Sequence, residues 1–232
     1  KLKFGICQGR LTIPKNNQLQ YFPQGKWEEE IKIAKSLGYD YIELLSERQH
    51  NNENPLWSNS NPSYLKEAIY KYNLNSYSAC LDYIIEHKII DKNKINQNNL
   101  DYTINFIKKA ANVGTKLIVL PLLEASNIDK DNITTFIDYL NKTTDCAQQY
   151  NIMVTIESLE NSDVLIELVD SVKNENIGVV YDTGNRALTC DKPLDEIKKL
   201  NSRIKHIHLK DIRKNIGNVP IGTGVVDFKN IF

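Results

Sequence analysis

Three polar residues close or border three apolar runs, and their side chains share one chemistry. Glu157 follows MVTI, Asp182 follows GVVY, and His208 sits in HIHLKD, residues 206–211. Carboxylates and imidazole together suit a borderline-hard divalent ion such as Mn²⁺, Co²⁺, Fe²⁺, Mg²⁺ or Zn²⁺. Acids gathered at one rim repel each other, and a cation, either a metal or an Arg or Lys, relieves that repulsion. His206 shares the strand face of His208 by the two-residue period, one layer deeper, where it packs or orients a ligand. Glu43 in YIELL and Lys210 beside His208 fall at comparable places. Each residue alone has a plainer reading. A strand-end acid can cap the next helix, a lone histidine can be a satisfied core group, and a lysine at a strand–loop junction can be solvated. The case for a metal rests on all three occurring at equivalent ends of consecutive strands.

Such residues meet only if the chain brings its strand ends together. Short β-branched runs alternate with longer stretches of helical spacing. Strands are predicted at 3–7, 41–45, 75–81, 116–121, 151–157, 177–182 and 203–210. Helices are predicted at 27–38, 62–73, 100–114, 131–150, 163–172 and 194–201, with another beginning in 225–232. Gly38 and Gly114 suit helix C-termini. Alternation of this kind predicts a parallel sheet with right-handed crossovers. A doubly wound sheet and a (β/α)8 TIM barrel both fit, and both bind ligands at the C-terminal ends of their strands. About seven β/α units in 232 residues read as a single TIM-barrel domain over 1–232, C-terminally incomplete by its last helix–strand–helix.

Bulk properties remove several classes. Lys plus Arg equals Asp plus Glu, 29 each, which leaves no electrostatic footprint for nucleic acid or an anionic membrane. No apolar run approaches the ~20 residues that cross a bilayer. The opening KLKFGICQGR has no secretory pattern, and Cys7, Cys80, Cys146 and Cys190 form no CxxC. The expectation is a cytoplasmic protein with reduced thiols. His50 and His87 fall in loop regions and receive no role.

The stretches GICQGRL (5–11), WEEEIKIAKSLGYDYIELL (27–45), ENPLW (53–57), TIESLEN (155–161), VVYDTGN (179–185), HIHLKD (206–211) and PIGTGVVDF (220–228) resemble the xylose-isomerase-like TIM barrels. They are most similar to the sugar and sugar-phosphate isomerase/epimerase branch, and they cover nearly the whole chain in the family's order. The resemblance implies a metal site, usually Mn²⁺, with ligands Glu, Asp, His and Glu from strands five to eight. Three carry over, to Glu157, Asp182 and His208, and the strand-eight Glu has no counterpart in this sequence. It also implies that glutamates move protons on opposite faces of a bound sugar, with Glu157 as the catalytic one present. A ketose C–H is too weakly acidic for an unaided carboxylate, so the metal would polarise the carbonyl and stabilise a cis-enediolate. Proton return at the opposite face gives an epimer, and return at the neighbouring carbon an aldose–ketose isomer.

Several positions depart from the family. Some of its ketose epimerases place His three residues after the strand-six Asp, where this chain has Asn185. Asn can hydrogen-bond a hydroxyl but does not titrate near neutral pH. They also carry an Arg shortly after the strand-seven His, near Arg213. Glu43, Asn185, Lys210, Arg213 and Gln8 are the substrate-binding candidates, and Arg10 a weaker one. Gly222 and Gly224 most simply serve a turn. The expected partner is a sugar or sugar phosphate, and because dimers occur in the family, a homodimer is the assembly to test. One alternative is the metal-dependent phosphodiesterase chemistry of the abasic-site endonucleases in the same superfamily. Those need more histidines than the four present. The other is a non-catalytic sugar-binding barrel.

Overall fold

Seven parallel strands hydrogen-bond in the order of the chain. They are β1 (Gly5–Cys7), β2 (Tyr41–Ser46), β3 (Ser78–Leu81), β4 (Leu117–Pro121), β5 (Met153–Glu157), β6 (Ile177–Asp182) and β7 (Ile204–His208). The structure is a computed structural model that describes residues 2–14, 20–59, 61, 63–190 and 192–231. Pro62 and Phe232, both expected within helices, lie outside them. A doubly wound sheet reverses its strand order at a switch point. Here every neighbour is the next strand in sequence, so the sheet is wound as a TIM barrel, with β1 and β7 as its two borders.

The helices packed outside are α1 (Trp27–Ser36), α2 (Tyr64–Lys71), α3 (Gln97–Val113), α4 (Ile133–Gln148) and α5 (Ser162–Ser171). Two more, α6 (Thr183–Thr189) and α7 (Pro193–Leu200), separate β6 from β7. The caps explain several boundaries. Asn96 and Asn161 accept from the first-turn amides of α3 and α5, and α3 ends on Gly114 at φ 96°. Helix α1 stops at Ser36, short of Gly38, which takes φ 84° two residues later.

Strand alternation sorts the side chains. Ile42, Leu44, Ala79, Leu81, Ile118, Leu120, Val154, Ile156, Val179 and Tyr181 pack outward into the sheet–helix core. The opposite face carries a smaller apolar cluster of Leu45, Cys80, Leu117, Val119 and Val180. By the two-residue period, Glu43, Glu157, Asp182, His206 and His208 belong to that inner face. The pairing of β6 with β7 slips by one residue, from Val179 opposite Ile204 to Val180 opposite His206, so Lys205 is bulged. The slip sets His208 directly opposite Asp182. Gly178 makes it sterically possible, since a Cβ there would overlap the Lys205 stem and approach the Arg203 carbonyl.

Candidate active site

The inner-face polar residues meet at the C-terminal rim of the sheet. His208 joins two carboxylates, with Nδ1 3.1 Å from Glu157 Oε2 and Nε2 3.1 Å from Glu43 Oε1. Glu43 Oε2 also faces His206 Nε2 at 3.0 Å and accepts from Ser78 Oγ at 2.6 Å. The Cys7 thiol points at Glu43 Oε1 from 3.3 Å. Lys210 Nζ lies 2.9 Å from Asp182 Oδ2 and donates to Asn185 Oδ1 at 2.7 Å. Asn185 Nδ2 donates to Glu157 Oε1 at 2.8 Å, so this amide bridges the acid of β5 and the lysine after β7.

Local structure fixes these positions. Asp182 Oδ1 caps α6 by accepting the Asn185 N–H at 2.8 Å, leaving Oδ2 for the cation. Asp182 is therefore a helix cap and a site residue at once. Glu157 caps nothing, because Asn161 caps the helix that follows it. Thr183 Oγ1 donates to the Lys210 carbonyl and accepts the Lys210 N–H, tying the ends of β6 and β7 together. A Cβ on Gly184 would sit 2.8 Å from Lys210 Cε, so the glycine leaves room for the lysine stem. The turn glycines after β7 are also accounted for. The Asp211 carboxylate accepts backbone N–H groups from Ile212, Gly222, Gly224 and Val226 at 2.8–3.1 Å. These amides serve an internal carboxylate.

Burial and charge act in opposite directions here. Burial by itself would raise Glu43, but His208 and His206 outweigh it and hold the carboxyl well below its usual range. Burial would lower His208, yet Glu43 and Glu157 hold its imidazole well above its ordinary value. Glu157 is kept low against burial by His208 and Lys210. Asp182 is pushed up by burial and the nearby Glu157 charge, against the pull of Lys210.

The donor set fits a divalent ion. Glu157, Asp182 and His208 each offer a ligand atom, all within 4.8 Å of one another. Three carboxylates, Glu43, Glu157 and Asp182, face two cations, protonated His208 and Lys210. A divalent ion taken up in exchange for the His208 proton would bring the cluster to neutrality. Nδ1 is the ring nitrogen turned toward Glu157, and Glu43 on Nε2 is the kind of carboxylate that fixes a ligating imidazole.

The cluster lines a cavity of about 470 Å³ with Gln8, Arg10, Arg48, Cys80 and Asp82. A larger one of about 780 Å³ shares Gln20 and Arg48 with it, but is lined by none of Glu157, Asp182 and His208. We place the chemistry in the smaller one because donors converge there. Gln8 is 2% exposed and accepts the Leu45 N–H at 3.2 Å through Oε1. Arg213 is not brought to this cavity. It stands exposed on a hairpin (211–219), donating to the Thr223 carbonyl. No sequence signal pointed to a role for Cys80 or Asp82, nor for Ser78 and Cys7, whose contacts with Glu43 depend on strand register. His50 bonds the Tyr102 hydroxyl and His87 stacks on Tyr83, and neither lines this cavity.

Residues 31–232 match the family model described as xylose isomerase-like TIM barrel. The chain is 24% identical over 216 residues to the probable L-ribulose-5-phosphate 3-epimerase UlaE of Mycoplasma pneumoniae, covering 88% of this chain and 70% of that protein. Its fold is similar to the crystal structure of D-psicose 3-epimerase in the presence of D-fructose, with a TM-score of 0.73 at 17% identity, covering 94% and 78% of the two chains. It is also similar to a xylose isomerase-like TIM barrel protein from Mycobacterium smegmatis in complex with magnesium, with a TM-score of 0.71 at 16% identity, covering 90% and 77%.

Proposed function

This chain belongs to the xylose isomerase-like TIM barrel family, and on that premise we propose that it is an isomerase, an epimerase of a ketose or ketose phosphate that works with a divalent metal. The observation that carries the reading is the convergence of Glu157, Asp182 and His208 at adjacent strand ends, with ligand atoms within 4.8 Å. The names of its relatives support a sugar substrate, and UlaE in particular a phosphorylated ketopentose. A divalent ion held by Glu157, Asp182 and His208, Mn²⁺ first among the candidates, would polarise the substrate carbonyl and make the neighbouring C–H acidic enough to lose its proton.

The protein's own groups then have distinct tasks. Glu157 is kept ionised and takes the proton as the base. Glu43 holds His208 in orientation through Nε2. Lys210 and Asn185 present hydrogen-bond donors beside the two acids, placed for sugar oxygens. Gln8 lines the wall near β1. Arg213 would reach a substrate only by leaving the Thr223 carbonyl.

The test is a panel of ketopentoses and ketohexoses, free and 5- or 6-phosphorylated, incubated with Mn²⁺-loaded protein and resolved by chromatography. Formation of a C3 epimer, lost in Glu157→Gln, supports the reading. No conversion of any member, with metal bound, overturns it.

A further inference from the structure

Asp82 stands on the same rim and has no task so far. It follows β3 directly and is 1% exposed. Its backbone is pinned, with its N–H donating to Ser46 O at 2.9 Å and its carbonyl accepting from Ile85 N at 3.0 Å. It occupies the N-cap position of the one-turn helix Tyr83–Glu86, yet its side chain makes no capping bond. The plain role for an acid at that place is thus not used. Oδ1 accepts from the Cys80 thiol at 3.2 Å, a weak donor, and Oδ2 has no hydrogen-bond partner among the described residues. Arg48, which lines the same cavity, gives its guanidinium to Glu124 and Glu86 instead. Burial, with the nearby Glu157 and Glu43 charges, pushes the carboxyl up to about 7 despite Cys80 and Arg48.

A buried carboxyl oxygen without a partner is costly in either protonation state, and each such group calls for a specific explanation. Asp82 lines the cavity that holds Glu157, Asp182 and His208. We propose that the Asp82 carboxyl binds a substrate hydroxyl outside the reacting carbonyl–carbinol pair, and so helps select which ketose the cavity accepts. The assignment rests on the reading of the cavity as a sugar site. Oδ2 is closed off from solvent, so the hydroxyl meets it after a turn of the carboxyl about its soft last torsion. The Cys80 contact opposes that turn weakly. A hydroxyl can donate to the ionised form and accept from the neutral one, so it satisfies the group on both sides of its titration.

The experiment is calorimetric binding to Mn²⁺-loaded wild-type protein, Asp82→Asn and Asp82→Leu. The probes are the ketose panel, then L-ribulose 5-phosphate and its 1-deoxy and 4-deoxy analogues, with urea unfolding alongside. Wild type is expected to bind one deoxy analogue about 10- to 100-fold more weakly than the parent, and Asp82→Leu to erase that difference. The unfolding midpoints of both variants should hold or rise, because a buried unpaired oxygen has been removed or neutralised. Equal weakening toward every analogue with a lower midpoint means a structural role and overturns the assignment. So does unchanged binding by both variants. Absence of binding to any ketose by wild type overturns the sugar reading, and this assignment with it.

Discussion

Replacing Glu43 probes the electrostatic centre of the site. This carboxylate is 4% exposed and receives Ser78 Oγ, His206 Nε2, His208 Nε2 and the Cys7 thiol at 2.6–3.3 Å. Glu43→Ala leaves two imidazole N–H groups without an acceptor, about 1–3 kcal/mol each. It also breaks a buried ion pair by removing one partner, about 3–5 kcal/mol. Both figures describe largely the same loss, so the expected destabilisation is about 3–5 kcal/mol and not their sum. Glu43→Gln keeps an acceptor oxygen and loses the charge, so a smaller cost, about 1–3 kcal/mol, is expected. Urea unfolding of chelator-treated protein across pH reads both. His208 has a raised folded pKa, so its contribution is fully present below its unfolded value near 6.5 and lost as pH rises through the folded one. Glu43 has a lowered folded pKa, so its contribution is present above 4.5 and lost as pH falls through the folded one. These are two views of one interaction, and metal-free wild type should be most stabilised by it between about pH 4.5 and 6.5. In Glu43→Ala that window flattens. An unchanged midpoint and an unchanged pH profile would refute the reasoning.

Metal affinity should rise with pH, by up to about tenfold per unit while His208 is mostly protonated, since the ion must displace that proton. Calorimetry at several pH values checks this, and a flat affinity contradicts it. Away from the site, Arg186 and Glu196 form a buried pair that fastens α6 to α7, with Arg186 Nη1 also donating to the Glu160 carbonyl at 2.7 Å. Either Arg186→Met or Glu196→Leu alone should cost about 3–5 kcal/mol, and the double replacement much less. Urea midpoints of the three variants decide it.

The alternation of strands and helices, and the acids that close the strands, were legible because parallel strands buried on both faces read as apolar runs that end abruptly. Alternation alone left a barrel and a doubly wound sheet both open, because it does not encode strand order. The count of β/α units and the family resemblance pointed to the barrel, and the sequential strand order bears that out. Helix α6 was missed because it begins directly after β6, with Asp182 serving as both the last strand residue and the cap. Strand seven was expected to reach Lys210 but ends at His208, where the Lys210 N–H turns to Thr183 Oγ1. Glu157, Asp182, His208, Lys210 and Asn185 were singled out and do cluster. Ser78 and Cys7 meet Glu43 across 35 and 36 residues of chain, contacts set by strand register that no local pattern carries. Asp82 was hidden for a further reason, since an acid after a strand ordinarily reads as a cap.

The most direct measurement of the central claim is proton exchange at the sugar carbon. Mn²⁺-loaded protein would be incubated with L-ribulose 5-phosphate in D₂O and the ketose followed by NMR. The account predicts solvent deuterium at C3, absent after chelation and absent in Glu157→Gln. Retention of the C3 proton by metal-loaded wild type, under conditions where the ketose is shown to bind, would contradict it.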